Sequence, residues 1–289
     1  MRQSRHIRPE SSIGKRLALT VLLAALCMGF IAAAQAETQR VATPVPVSSE
    51  AKAILMRMAE FMAKTQSYSV NVRDNYDAYQ ESGQKIEFNE MRKIAVVRPD
   101  RLRVDVEESN GIKHLVTFDG KTLTMATPSL NIYAQTQGPG TIDEAVVYFV
   151  RDLGMKLPFA VLLLSTAPKE LEQRTRSLDY VEKTSILGTP AHHLAGRTES
   201  VDYQIWIADG DRPLPLRLVL TYTKERGQPQ FRAQFSDWNL APEASASTFV
   251  FTPSPEMHRI TFYAQLPGRA APTAKPAQGA KSKKSGGQK

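Results

Sequence analysis

From Tyr68 onward the hydrophobic residues fall at every second position, and that period decides most of what this chain can become. Tyr68, Val70, Val72, Tyr76 and Ala78 alternate with polar residues; Ile86, Phe88, Ile94 and Val96 do so with one break; Leu102, Val104 and Val106 follow. Successive side chains of a strand point to opposite faces, so each run is a strand with one face toward a core and one toward water. The turns ESG, RPD and SNG between them make an antiparallel meander. Two tight hairpins come next, FDGKTLTM turning at Asp119-Gly120 and ATPSLNIYAQ at Pro128-Ser129. Strands resume at Leu178 to Leu187, Ala191 to Thr198, Val201 to Ile207, Leu214 to Thr223 and Phe231 to Leu240, with FVF at 249–251. Val201, Tyr203, Ile205 and Ile207 share a face, as do Leu214, Leu216, Leu218, Leu220 and Tyr222.

Two stretches break the period. Before the meander, Ile54, Leu55, Met58, Phe61 and Met62 form one helical stripe after Ser48 or Ser49, either of which can cap it, and run to about Lys64. Between Thr141 and Arg174 the strands give way to a helical insertion. Thr141 and Glu144 have capping-box spacing, Asp143 and Glu144 suit a helix N-terminus, and Gly154 suits the stop. Ile142, Val146, Phe149, Val150 and Leu153 line one side of that helix. LPFAVLLLSTA, 157–167, is apolar nearly all round, and a helix of that kind must be covered on most sides. The expected fold is α+β: a large, strongly curved antiparallel sheet of about eleven strands, an open half-barrel, with an N-terminal helix and a helical lid or plug.

The ends read differently. Arg2, Arg5, Arg8, Lys15 and Arg16 precede an apolar run from Leu17 to Ile31, and Ala34-Gln35-Ala36 offers a small-x-small cleavage site. This is the pattern of a cleaved export signal over 1–36, its apolar run being shorter than the roughly 20 residues of a spanning helix. The single cysteine, Cys27, lies inside it, so a mature chain would fold without disulfides in an oxidising compartment. A Pro-rich lead-in occupies 37–47, a single domain 48–263, and a tail of Pro, Ala, Gly, Lys and Ser 264–289.

Net charge of +8 invites a nucleic-acid reading until it is divided. The leader sets five basic residues against Glu10, and the tail holds six with no acid, which leaves −2 for 37–263. The domain therefore lacks the basic footprint of a nucleic-acid binder. The tail has the composition of a disordered spacer and suits an anionic surface.

No signature of catalysis emerges. Asp119-Gly-Lys-Thr122 ends like a phosphate loop but has Leu115 where that loop needs glycine, and Asp209-Gly-Asp211 lacks the later ligands of a calcium loop. His192 and His193 are adjacent on a strand, so they face opposite ways and do not share a metal. The even face, His192, Leu194 and Gly196, reads as the buried one, with His192 a hydrogen-bonded group on it and His193 at the surface. Neither metal nor cofactor is expected.

VVRPDRLRVDV, FDGKTLTMATPSLNIYA, the helical insertion and STFVFTP at 247–253 occur in the order in which similar elements occur in the periplasmic outer-membrane lipoprotein carrier (LolA) and its relatives. The chain resembles that superfamily over about 48–253, and looks closest to uncharacterised predicted periplasmic proteins of the same fold. The resemblance implies an open half-barrel closed by a helical lid over a cavity for acyl chains. It also implies that Arg98, preceding Pro99, holds the lid by hydrogen bonds to its backbone. The expected activity is non-catalytic binding of a lipid or acylated ligand in the periplasm. Val146, Phe149, Val150, Leu153, Phe159, Leu162 and Leu163 are the expected lining and His192 a polar group on the wall. The alternative is an envelope sensor or interaction module with a protein partner on the same fold.

Overall fold

The computed structural model describes residues 47–266 apart from 139 and 156. The expected signal at 1–36, the lead-in up to residue 46 and the tail from residue 267 lie outside the described residues.

Helix α1 (Ser49–Lys64) starts where Ser48 Oγ accepts the Ala51 amide at 3.3 Å. It buries one stripe, including Leu55, Met58 and Met62, against β7 to β9. Twelve strands follow: β1 (Ser67–Tyr79), β2 (Lys85–Val97), β3 (Arg101–Glu108), β4 (Lys113–Phe118), β5 (Thr122–Thr127), β6 (Ile132–Gln137), β7 (Ser177–Ile186), β8 (Thr189–Arg197), β9 (Val201–Ala208), β10 (Pro215–Tyr222), β11 (Gln230–Asn239) and β12 (His258–Ile260). They form one unclosed, curved sheet ordered β12-β6-β5-β4-β3-β2-β1-β11-β10-β9-β8-β7. Only β12 runs parallel to its neighbour. Two meanders, β1 to β6 and β7 to β11, thus meet along β1 and β11, where Val72 stands opposite Phe235 and Tyr76 opposite Phe231.

The hairpin at Asp119-Gly120 forms because Gly120 takes φ +86° and Asp119 Oδ1 accepts the amides of Lys121 and Thr122 at 3.0 and 2.7 Å. In the insertion, α2 (Ile142–Val147) carries the capping box of Thr141 and Glu144. It passes into a wider π turn at Tyr148–Asp152, and Gly154 at φ +68° ends it. LPFAVLLLSTA is not the long apolar helix its composition suggests. Pro158 disfavours helix at the residue before it and Pro168 is tolerated only in a first helical turn, so the segment shrinks to a 3₁₀ turn, Ala160–Leu163, followed by helix α3, Ala167–Arg174. Its apolar character is used in burial: Phe159, Leu162, Leu163 and Leu164 all sit in the core, with Phe159 6.0 Å from both Phe231 and Phe235 on β11.

Three local expectations are corrected. FVF at 249–251 is not a strand: Ala246–Phe249 is a 3₁₀ turn that buries Phe249, and β12 is the late strand instead. Leu216 leaves the face of Leu218 and packs with Ala191 and Ala208 on the other side, because the β9–β10 register shifts between Pro215 and Arg217. His193, not His192, is the more buried histidine, since the Trp206 ring lies flat on it at 4.0 Å.

Candidate functional site

Between the concave face and the insertion lie three cavities that share Leu157 as a common wall. One of about 550 Å³ runs between the 3₁₀ turn and β9 to β10, with Val161 and Leu162 opposite Tyr203, Ile205 and Leu218. A second of about 350 Å³ lies between α2 and β2 to β5, with Val146 and Phe149 opposite Val104, Val116 and Met125. A third of about 730 Å³ opens beside Val150, Met155, Tyr76 and Phe231. Each falls near the roughly 300–1,000 Å³ of small-molecule sites, and the walls are mostly aliphatic and aromatic.

The residues expected to line such a space divide. Val146 and Phe149 line the second cavity, Val150 the first and third, and Leu162 the first. Leu153, Phe159 and Leu163 are instead packed into the core between insertion and sheet and do not line these cavities. His192 lies off all three. Its Nε2 donates to Asp209 Oδ1 at 3.0 Å, its Nδ1 lies 3.2 Å from Tyr180 Oη, and Lys183 Nζ sits 2.7 Å from the same carboxylate. Those hydrogen bonds from Lys183 and His192 hold the Asp209 carboxyl below its ordinary range. His192 is thus hydrogen-bonded within β8, away from these cavities.

Arg98 occupies the junction of all the parts. Its side chain is 7% exposed; Nη2 donates to Leu163 O at 2.8 Å, Nε to Thr65 O at 3.3 Å, and Nη1 lies 3.7 Å from Asp143 Oδ1. Asp143, on α2, also accepts the Ser165 amide at 3.0 Å, and the Ile142 amide donates to Pro99 O at 2.8 Å. One arginine therefore ties the end of α1, the 3₁₀ turn and α2 to the β2–β3 turn.

On the sheet side, Tyr203 reaches over Gly196 and bonds Thr175 Oγ1 at 2.9 Å, and burial pushes its phenol up. Four charged or titratable residues not singled out by composition or motif also line the second cavity: Glu90, Arg92, Glu108 and His114. Their sequence signal is the interruption of the inward-facing apolar positions on β2 to β4. The Thr127 hydroxyl is 3.0 Å from His114 Nδ1 and is not among the cavity-lining groups. No group of His, Asp or Glu among the described residues is arranged to hold a metal ion.

The model of a family of predicted periplasmic proteins, DUF2092, matches residues 51–263. The chain belongs to this family. As a DUF2092 protein its place is the periplasm, and none of its described helices is long and apolar enough to cross a membrane. The DUF2092 chain is similar to the crystal structure of the lipoprotein LppX from Mycobacterium tuberculosis, at 14% identity over 68% of this chain and 100% of that one, with a TM-score of 0.44. It is similar to a LolA superfamily protein from Nitrosomonas europaea at 12% identity over 70% and 97%, with a TM-score of 0.36. The MucA/MucB complex structure from Pseudomonas aeruginosa matches at 19% identity over 74% of this chain, with a TM-score of 0.40, and there the chain spans only 64% of the matched one. No curated protein sequence matches.

Proposed function

We propose that this DUF2092 protein is a non-catalytic periplasmic binding or carrier protein that holds the hydrocarbon of a lipid or acylated ligand between sheet and insertion. The observation that supports it is the set of three cavities with mostly apolar walls that share Leu157 beneath one insertion. Burying acyl carbon contributes about 0.8 kcal/mol per CH₂, so such a space binds a chain without any specific polar contact. Arg98 supplies the mechanical half of the reading. It fixes the 3₁₀ turn by a backbone hydrogen bond, a contact that can be released and remade as Val161 and Leu162 move away from β9 and β10.

Native mass spectrometry of protein purified gently from the periplasm, with lipid extraction of the same sample, tests this. A co-purified mass of lipid size, displaced by a fluorescent fatty acid, is the expected result. An apo mass with no probe binding would overturn it and leave a protein-interaction module on the same fold as the better reading.

A further inference from the structure

The apolar concave face continues beyond the part that the insertion covers. β2 keeps one register against β1 along its whole length, so Ile86 and Phe88 fall on the same face as the core residues Ile94 and Val96. Phe88 stands opposite Tyr76 and stacks on its ring at 5.8 Å, and Tyr76 in turn stands opposite Phe231. Tyr76 and Phe231 line the 730 Å³ cavity together with Val150 of the insertion. The opening of that cavity is therefore bordered by apolar side chains from both sheet and insertion. They meet solvent: Tyr76, Ile86, Phe88, Val147 and Val150 are each 37–40% exposed. Exposed apolar surface of this kind, gathered at one place, marks a contact with something else.

What covers it is indicated by where the chain goes next. Gln265 Nε2 donates to Tyr148 Oη at 3.2 Å and to Thr136 Oγ1 at 3.1 Å, which fastens the end of the described residues to the insertion next to Val147 and two residues from Val150. Leu266 is 39% exposed, and 23 residues follow it that hold Arg269, Lys275, Lys281, Lys283, Lys284 and Lys289 and no acid. Arg269 comes three residues after Leu266 and so lies no more than about 11 Å from it. Positive charge is thus delivered to this end of the molecule. The domain itself offers none: 37–263 carries −2, and the acids that line the cavity are Asp77 and Glu90, paired with Arg232 and Arg92, and Glu225.

An apolar contact and a polybasic segment are the two signals that together hold a peripheral protein on an anionic bilayer. We infer that the mouth of the 730 Å³ cavity docks on an anionic lipid surface, with Tyr76, Ile86, Phe88 and Val150 entering the interface and the six cations of 267–289 lying against the headgroups. A tyrosine, with an apolar body and a polar tip, suits headgroup depth. An anionic polymer would engage the cations but leave the rim in water. The inference rests on the carrier reading for its use, since hydrocarbon passing between cavity and bilayer then stays out of water; the docking itself is measurable without any ligand.

The test is flotation of protein purified from the periplasm with vesicles of phosphatidylethanolamine and phosphatidylglycerol, and separately with vesicles of phosphatidylcholine. Binding to the anionic vesicles is expected to be about tenfold or more tighter, a difference that shrinks as salt is raised. Deleting 267–289 should weaken it about tenfold or more. The double variant Ile86→Ser, Phe88→Ser, at positions that line none of the three cavities, should also weaken it about tenfold while affinity for a fluorescent fatty acid holds. Should that variant lose the wild-type circular dichroism, Leu266→Ser is expected to weaken vesicle binding about threefold. Equal binding to both kinds of vesicle, or binding that survives the deletion, overturns the docking face. Binding that needs the tail but ignores the serine substitutions overturns it too, and assigns the cations to a polymer or an acidic protein. Fatty-acid binding without vesicle binding overturns the docking face alone, and vesicle binding with the expected losses but no fatty-acid binding upholds it and overturns the carrier reading.

Discussion

Arg98 donates from Nη2 to the carbonyl oxygen of Leu163 at 2.8 Å, joining the turn after β2 to the 3₁₀ turn of the insertion. Because the side chain is nearly buried and also serves Thr65 O and Asp143, it has no cheap substitute. Arg98→Ala leaves two carbonyls and part of a carboxylate without their donor, a loss of about 2–3 kcal/mol in urea unfolding. Arg98→Lys keeps the charge near Asp143 but lacks the planar fork that reaches both carbonyls, so it recovers only part. Hydrogen exchange should quicken first at the amides of Leu162 and Leu164. Unchanged protection there in Arg98→Ala would show that the arginine does not anchor the insertion.

Tyr68 gives a pH test with a definite sign. Its hydroxyl is buried and unpaired among the described residues, and burial, opposed by Arg98, pushes the phenol up to about 12 from 10.0. A folded-state value above the unfolded one means that stability is fully present below pH 10 and falls as pH rises toward 12. The fall amounts to about 2–3 kcal/mol for this one group. Tyr68→Phe keeps the packing on Trp238, 5.7 Å away, and removes an unsatisfied donor, so at neutral pH it is expected to be as stable as wild type or slightly more. Chemical unfolding of both proteins from pH 8 upward checks this: the gap between the two curves should be constant up to about pH 10 and widen above it. Parallel loss in both would show that Tyr68 does not carry the effect.

Gly196 and Tyr203 stand opposite each other on β8 and β9, and a Cβ on Gly196 would overlap the tyrosine ring. The backbone there is ordinary extended strand, so the constraint is space alone. Gly196→Ala must displace the ring, break its bond to Thr175 and push it toward the 550 Å³ cavity it lines. The expected cost is about 1–3 kcal/mol. Pairing it with Tyr203→Leu should restore most of that, as a double-mutant cycle would reveal; additive losses would mean that the two do not conflict.

Strands were readable in this sequence wherever one face is buried, because alternation at Leu102, Val104 and Val106 leaves no other periodic structure. Alternation assigns faces but not neighbours. That β11 pairs with β1, joining the two meanders, follows from contacts more than 150 residues apart, such as Asp77 with Arg232, and nothing local encodes it. The histidines show the same limit at shorter range: His192 does share its face with Leu194, but Trp206, the partner of His193 on the next strand, shields His193 on the opposite face. Composition also overstated helix in 157–167, where Pro158 inside the segment and Pro168 just after it limit what local propensity can do. For the candidate site, the apolar insertion was legible as something needing cover. The charged groups lining the second cavity were visible only as missing apolar residues at 90 and 92, and came together once register placed Glu90 opposite Glu108.

The last prediction concerns whether the cavity beneath the 3₁₀ turn is used. Val161 is half-buried and faces the 550 Å³ space opposite Ile205 and Leu218. An indole there has room, so Val161→Trp should fold with thermal stability close to wild type, in contrast to an enlargement inside the packed core such as at Leu163. If hydrocarbon occupies that space, the ring removes volume that a chain needs, and affinity for a fluorescent fatty acid should fall about tenfold, more for longer chains than for shorter ones. The chain-length dependence separates filling from a general disturbance, which would weaken all lengths alike. Undiminished binding of the longest probe by a folded Val161→Trp would move the acyl site out of this cavity and toward the 350 and 730 Å³ spaces on the other side of Leu157.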